Sequence, residues 1–276
     1  MLNKFFGVVV VTLLLLIVIS AQSKTREQIA AENEKITKEN DEVTRLFKEG
    51  NEAYLVRNYD GAIASYGEAL QKYPGHPGLI AIFSNQSQSF RMRGVDRFNT
   101  ALKLPDQVAK QNGTNRAKAD FTAALTAADG AVAMFAKMTD SPAQYAQNKE
   151  TALQQRFEAM RLVVTKVGPQ PADVVSRALT EYLAVIKDPA KLYDVRHQGA
   201  RMLFDAGMFA EALPELLKLL AINDSVDIDA LFMAGMSAVA LEKNADASKF
   251  LKRFLEVAPA NHPHRADATE ALNYLK

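Results

Sequence analysis

A spacing pattern of small and large apolar residues recurs along the chain, and it constrains the fold more than any other feature of the sequence. Between residues 43 and 76, small residues occupy positions where two antiparallel helices must approach closely, and larger apolar residues fill the positions between them. Pro74 ends the unit because proline cannot continue a helix. The small residues are Gly50, Ala53, Ala62 and Ala69, and the larger ones are Leu46, Tyr59, Ile63, Tyr66 and Leu70. The pattern predicts one helical hairpin.

The same separations recur twice near the other end of the chain. The copy in 228–261 carries Leu231, Gly235, Ala238, Ala247, Leu251, Phe254 and Pro259. The copy in 193–226 carries Gly199, Ala200, Leu203, Gly207, Phe209, Ala212, Leu216 and Leu219. These two copies begin 35 residues apart (193 and 228), close to the period of ~34 residues found in one class of helical repeat. Repetition at this period predicts hairpins that stack on one another.

The segment from Gly50 to Pro74, GNEAYLVRNYDGAIASYGEALQKYP, resembles a tetratricopeptide repeat (TPR), and so do the two carboxyl-terminal units. The characteristic tryptophan of the family is absent, and Leu46, Arg196 and Leu231 stand in its place. The resemblance implies an all-α, TPR-like helical-hairpin solenoid, wound as a right-handed superhelix. The remaining length divided by the repeat period predicts about six or seven hairpins.

The middle of the chain has helical apolar spacing but degenerate repeats. Residues 80–110 are expected to form a second hairpin, with a short insertion ahead of it and a poorly formed second helix. Further helices are expected at 116–137, 144–166 and 172–187, separated by Gly113, by Ser141 and Pro142, and by 168–171. A polar-faced capping helix is expected at 264–275.

The amino terminus differs from the rest of the chain. Lys4 precedes an unbroken run of low polarity from Phe5 to Ile19, and the small residues Ala21 and Ser23 follow it. A run of this length is typical of a cleaved signal peptide, and the alternative is an uncleaved membrane anchor. Either alternative predicts export, with the repeats outside the cytoplasm, periplasmic or membrane-anchored.

Residues 25–48 form a charged segment whose large apolar residues, Ile29, Ile36 and Val43, lie seven apart. This spacing predicts a helix with one narrow apolar stripe, either a solvated helix leaning on the first repeat, which we favour, or a short coiled coil. The predicted divisions of the chain are therefore a signal or anchor segment (1–23), a charged helical linker (24–42), TPR-like hairpins (43–113), degenerate hairpins (114–190), and TPR hairpins with a capping helix (191–276).

Composition and motifs argue against several classes of function. The net charge is +1, with 33 basic and 32 acidic residues mixed along the chain, so nucleic acid is not an expected partner. No cysteine occurs, which excludes disulfides, thiol catalysis and cysteine zinc ligands. The chain carries no phosphate-binding glycine loop, nucleophile elbow or zinc-protease motif. We therefore predict neither catalytic residues nor a cofactor.

Two groups of residues could be mistaken for metal sites. The pair His262 and His264 has no third ligand nearby in sequence, and the acidic cluster Asp224, Asp227 and Asp229 lacks the glycine and distal glutamate of a calcium loop. A carboxylate just before the helix that begins near residue 228 is an expected N-cap. No metal is predicted.

The candidate site is the concave surface that stacked hairpins create, because the first helix of each hairpin lines it. In the predicted register, the lining residues are Phe47, Asn51, Tyr54, His197, Arg201, Phe204, Phe232 and Met236. Aromatic and methionine side chains suit an apolar or amphipathic polypeptide. Each of these residues could instead be core between adjacent repeats.

A sharper expectation follows from the family. Asn51 and Asn85 resemble the two asparagines with which TPR modules of co-chaperones grip a terminal carboxylate. However, Phe47 occupies the place of the first clamp lysine, and no basic pair follows in the third unit. We therefore expect the two asparagines to bond backbone or solvent.

The sequence thus predicts a non-enzymatic, exported TPR scaffold that binds a protein or peptide partner, as an assembly factor, adaptor or chaperone-like subunit. Membrane contact is expected only through residues 1–21, if they are retained. One alternative is a structural subunit that self-associates into homo-oligomers through residues 24–48 or the capping end. Another is an enzyme or small-ligand binder with its site in 110–189.

Overall fold

The computed structural model describes residues 25–137, 146–222 and 227–275. The predicted signal or anchor segment, 1–23, lies outside the described residues. All regular structure within the described ranges is helical, so the fold class is all-α, as predicted. The chain divides into two units, 1–42 and 43–276.

Eleven helices follow one another in the described ranges. Their bounds are α1 Arg26–Leu55, α2 Tyr59–Lys72, α3 Leu79–Leu102, α4 Gln107–Ala136, α5 Ala146–Leu162, α6 Ala172–Leu183, α7 Pro189–Asp205, α8 Phe209–Ile222, α9 Ile228–Ala240, α10 Asn244–Val257 and α11 Arg265–Tyr274. One π-helical turn, Val163–Val167, continues α5.

In the first unit, the described residues 26–42 are the amino-terminal part of α1. Their side chains are mostly exposed, and ion pairs one helical turn apart, such as Lys38 with Glu34 at 2.7 Å, support the helix. The charged helix predicted here is present. The choice between a solvated helix and a coiled coil stays a prediction.

The second unit contains the three predicted TPR-like hairpins, in α1–α2, α7–α8 and α9–α10. The chain reverses in each hairpin through one residue with positive φ, at the same position of each repeat: Arg57 (61°), Gly207 (74°) and Glu242 (56°). The equivalent small and large residues of the second helices are fully buried, as the spacing predicted: Ala62, Tyr66, Ala69, Ala212, Leu216, Leu219, Ala247, Leu251 and Phe254.

The small residues of the first helices also have the predicted role. A Cβ atom added to Gly50 would lie 2.3 Å from Cε1 of the buried Tyr66, and one added to Gly235 would lie 2.5 Å from Cδ2 of Leu251. Glycine is required at these positions because the paired helix approaches too closely for any side chain.

Arg196, which occupies the place of the family tryptophan in the third copy, is accommodated by an acidic partner. Its Nε lies 3.1 Å from Oε2 of Glu215 on α8, and both side chains are largely buried. The other two hairpins have the buried leucines Leu46 and Leu231 at the equivalent position.

The second hairpin differs most from the prediction. Its second helix, expected to be poorly formed, is α4, which runs unbroken for 30 residues. Gly113 was expected to separate two helices, but it lies inside α4, where a Cβ would fall 2.6 Å from Cβ of Ala101 on α3. Both expectations were wrong because this glycine allows close helix packing and does not end a helix.

The described helices form five antiparallel pairs and the single helix α11, fewer than the expected six or seven hairpins. The reason is that α3 and α4 use 24 and 30 residues, whereas α2, α8 and α10 use 14 each. The carboxyl-terminal helix α11 packs on α10 and α9 through the buried Ala268, in the position of a cap.

Candidate functional site

Hydrogen bonds join the first helices of adjacent hairpins between residues one repeat apart. Nδ2 of Asn85 donates to Oδ1 of Asn51 at 2.8 Å, and Nε2 of Gln88 donates to the hydroxyl of Tyr54 at 2.9 Å. In the carboxyl-terminal hairpins, the hydroxyl of Tyr193 donates to Oδ2 of Asp227 at 2.6 Å. Each of the three bonds spans 34 residues. In these two pairs, α1 with α3 and α7 with α9, the first helices therefore lie in register one repeat apart. We call the common surface of the first helices α1, α3, α5, α7 and α9 the first-helix face.

Asn51 and Asn85 form hydrogen bonds within the first-helix face. Oδ1 of Asn51 also accepts a 2.7 Å hydrogen bond from the hydroxyl of Tyr66, whose burial raises its pKa to about 12. Asn51 and Asn85 thus bond each other and a buried tyrosine, which corrects the expectation that they bond backbone or solvent. The amide groups of the two asparagines join two hairpins, so the presence of these asparagines is explained without a carboxylate clamp.

Phe47 and Tyr54 are both half-buried on the same part of α1. The ring of Phe47 lies 6.4 Å from that of Tyr66, and the ring of Tyr54 lies 5.6 Å from that of Tyr59 on α2. One side of each ring therefore packs against the hairpin, while part of its surface remains accessible on the first-helix face.

Arginines continue the face from α3 to α5. Nη2 of Arg91 donates to Oε1 of Gln155 at 3.2 Å, and its Nη1 lies 3.2 Å from Oε2 of Glu158. Arg161 shares the same carboxylate oxygen at 3.0 Å. These residues were not predicted from the sequence. The 34-residue period would predict the contact between Tyr54 and Gln88. The contacts of Arg91 with α5 do not follow that period, so the sequence does not predict them.

At the carboxyl-terminal end, Asp227 is the centre of the contacts between α7 and α9. Its carboxylate caps α9 by accepting from the backbone N–H of Ala230 at 2.9 Å, as predicted, and it lies 3.5 Å from Nε2 of His197. Burial alone would raise the pKa of Asp227, but hydrogen bonds from His197, Tyr193 and Ala230 lower it to about 2. The same bond to Asp227 outweighs burial and raises the pKa of His197.

Arg201 is the most accessible predicted site residue on this part of the face. Its side chain is 56% exposed and lies 3.9 Å from both Asp205 and Asp229. At these distances, exposed ion pairs contribute little to stability. The guanidinium group is therefore available to a ligand.

The two aromatic residues beside Arg201, Phe204 and Phe232, differ in exposure. Phe232 is only 6% exposed, with its ring stacked 4.3 Å from that of His264 and 5.4 Å from that of Phe254. Its prediction as a lining residue was wrong, because the turn before α11 covers it. Phe204, which meets Phe232 edge-on at 6.4 Å, and Met236 are half-buried.

The pair of His197 and Asp227 makes stability depend on pH. Because the folded-state pKa of His197 is raised, the contribution of this pair to the stability of the folded protein is fully present below about pH 6.5. That contribution is lost as pH rises through the folded-state pKa of His197. Because the pKa of Asp227 is lowered, its contribution is present above its ordinary value and is lost as pH falls towards 2. We expect urea denaturation to show a smaller fall in unfolding free energy from pH 6 to pH 8 in His197→Gln than in the parent. An equal fall in the unfolding free energy of the variant and the parent would contradict the assignment of this pH dependence to His197.

The described residues contain no candidate metal site and no candidate membrane-spanning helix. Within them, no group of three or more His, Asp or Glu residues is arranged to hold a metal ion; His262 instead lies 3.6 Å from Asp229, and His264 lies 3.3 Å from Asp267. None of the described helices combines the length and apolar character needed to cross a membrane.

No family model and no curated protein matches the chain. Among solved structures, it is similar to a tetratricopeptide repeat protein from Parabacteroides merdae ATCC 43184, with 12% identity, coverage of 85% of this chain and 99% of that one, and a TM-score of 0.31. It is also similar to the TPR2AB domain of yeast Sti1 in complex with pHSP90, with 14% identity, coverage of 86% and 99%, and a TM-score of 0.29. At these values neither likeness carries an argument about function.

The class of the fold rests on the chain's own hairpins. Turns at one repeat position, buried residues at the predicted spacing and hydrogen bonds between residues 34 apart define an all-α helical-hairpin repeat protein. Its hairpins at the two ends are TPR-like.

Proposed function

We propose that the protein is a scaffold that binds a polypeptide partner along its first-helix face. The observation that carries the proposal is the register of the first helices, which the bonds from Asn51 to Asn85 and from Tyr54 to Gln88 define. Parallel helices in register present side chains at regular intervals, and an extended peptide or a helix can lie across such a surface.

The chemistry of the face favours a mixed apolar and acidic partner segment. Most of its polar groups already bond one another, so they fix the surface and leave little hydrogen-bonding capacity for a ligand. The accessible groups are the half-buried aromatic rings of Phe47, Tyr54 and Phe204 and the exposed guanidinium of Arg201. Aromatic side chains and arginine are the groups that most often dominate binding energy at protein interfaces.

Site-specific photocrosslinking in the cells that naturally produce the protein tests this proposal. A photoreactive amino acid replaces Arg201 on the first-helix face or, as a matched control, Lys218 on α8. The two side chains are 56% and 55% exposed, respectively, so the control differs in location and not in accessibility. We expect a crosslinked partner from position 201 and none from position 218.

Either of two outcomes would overturn the proposal. Equal crosslinking from both positions would show contact without use of the first-helix face. A crosslink from position 201 only to another copy of this chain would favour a self-associating structural subunit. A crosslinked protein identified by mass spectrometry would instead show whether the scaffold serves as an assembly factor, an adaptor or a chaperone-like subunit.

We further propose that the protein works outside the cytoplasm, which the apolar run from Phe5 to Ile19 supports.

A further inference from the structure

The turn between α3 and α4 lies beyond the ends of both neighbouring first helices. Gln88 on α3 is level with Tyr54 on α1, and α1 ends one residue later whereas α3 continues to Leu102. At a rise of about 1.5 Å per residue, α3 extends roughly 20 Å past the end of α1. On the other side, Lys166 lies over the ring of Phe98, and the π-helical turn ends at Val167. On this side, α3 extends about 5 Å past the end of the π-helical turn.

This projecting segment, residues 99–116, is called the α3–α4 tip. Ala101 is its only buried residue, because the close approach of Gly113 to Ala101 holds the two helices together. At the apex, Leu102 is 51% exposed and Val108 is 67% exposed, and Leu104 between them is half-buried. The tip therefore presents aliphatic side chains at the end of a tightly packed pair of helices, beyond the ends of α1 and of the π-helical turn.

The charges of the α3–α4 tip are mainly positive. It carries three cations, Lys103, Lys110 and Arg116, and one anion, Asp106, for a net charge of +2. The carboxylate of Asp106 is engaged as the N-cap of α4, accepting from the backbone N–H of Ala109 at 2.6 Å. In the sequence, Lys103 directly follows Leu102, and Lys103 and Lys110 flank Leu104 and Val108.

We propose that the α3–α4 tip docks on an anionic lipid surface, with Leu102, Leu104 and Val108 entering the interface and Lys103 and Lys110 facing the headgroups. Aliphatic side chains beside lysines are the combination that binds peripheral proteins to negatively charged membranes. Contact between the tips of two copies of the chain would be unfavourable, because each tip carries a net charge of +2. This contact is independent of the first-helix face and of residues 1–21.

A fluorescence experiment on the full chain tests the proposal. The chain contains no cysteine, so Leu102→Cys provides a single attachment point for a dye whose emission shifts to shorter wavelength in an apolar environment. Leu217→Cys on α8 is the matched control, because Leu217 is also an exposed leucine, at 43%. Each labelled protein is mixed with phosphatidylcholine vesicles, with or without phosphatidylglycerol.

We expect the emission of the dye at position 102, and not at position 217, to shift on the vesicles that contain phosphatidylglycerol. Lys103→Gln combined with Lys110→Gln should raise the vesicle concentration needed for half of that shift by about 30-fold, since each basic residue near a membrane contributes about 5-fold. No shift at position 102, or equal shifts at both positions, would overturn the proposal. A shift without vesicles that grows with protein concentration would indicate protein contact and would also overturn it.

Discussion

Asp120→Ala is expected to destabilise the protein by about 3 kcal/mol, because it removes a buried carboxylate from a pair of arginines. Asp120 is 4% exposed and accepts hydrogen bonds from Arg93 at 2.6 Å and Arg97 at 2.9 Å, both on α3. Without it, two partly buried guanidinium groups lose their buried compensating charge and keep only the exposed carboxylate of Asp60. Urea denaturation followed by circular dichroism measures the loss.

Asp60→Ala is the matched control for this prediction. Asp60 contacts the same two arginines from α2, but its side chain is 73% exposed, and exposed ion pairs contribute at most about 1 kcal/mol. If the two variants lost equal stability, burial would not be the reason for the importance of Asp120.

Phe232→Ala is also expected to cost about 3 kcal/mol in unfolding free energy, because removing a buried aromatic ring leaves a cavity. The ring contacts Phe204, Phe254 and His264, so its loss should loosen the packing of α9 against α10 and the turn before α11. Thermal and urea denaturation both measure this effect.

Arg201→Ala separates the core role of Phe232 from a role on the surface. Arg201 is exposed and its ion pairs are long, so we expect its loss to change stability by less than about 0.5 kcal/mol while weakening partner binding. A Phe232→Ala protein with unchanged stability would instead place that ring on the binding surface, as the sequence analysis expected.

The terminal hairpins could be predicted because their spacing is local. Gly50 and Gly235 lie where a paired helix leaves no room for a side chain, and Pro74 follows the end of α2. Such residues constrain their own hairpin regardless of the rest of the chain, so their order along the sequence is enough to identify the class of fold.

The second hairpin could not be predicted in the same way. A glycine inside a polar, alanine-rich stretch predicts a break when it is read locally, and the reason for Gly113 is Ala101 on the preceding helix. The length of α3 and α4 has the same origin, because each of these helices is stabilised along its length by the other.

The sequence predicted which helices carry the candidate residues and not the contacts that those residues make. A repeat register shows which residues lie on the first helices, and all the predicted residues do lie there. It does not show which of them bond each other, as Asn51 and Asn85 do, or which are covered by a later segment, as Phe232 is. Those facts depend on helix separation and on the path of the turn before α11.

A double-mutant cycle on Tyr54 and Gln88 tests the register of the first helices most directly. Tyr54→Phe removes the accepting hydroxyl and keeps the ring against Tyr59, and Gln88→Met removes the donor with little change in size. From the unfolding free energies of the parent, the two single variants and the double variant, we predict a coupling of about 1 kcal/mol. Additive effects would show that the two side chains do not meet, and would contradict first helices in register one repeat apart.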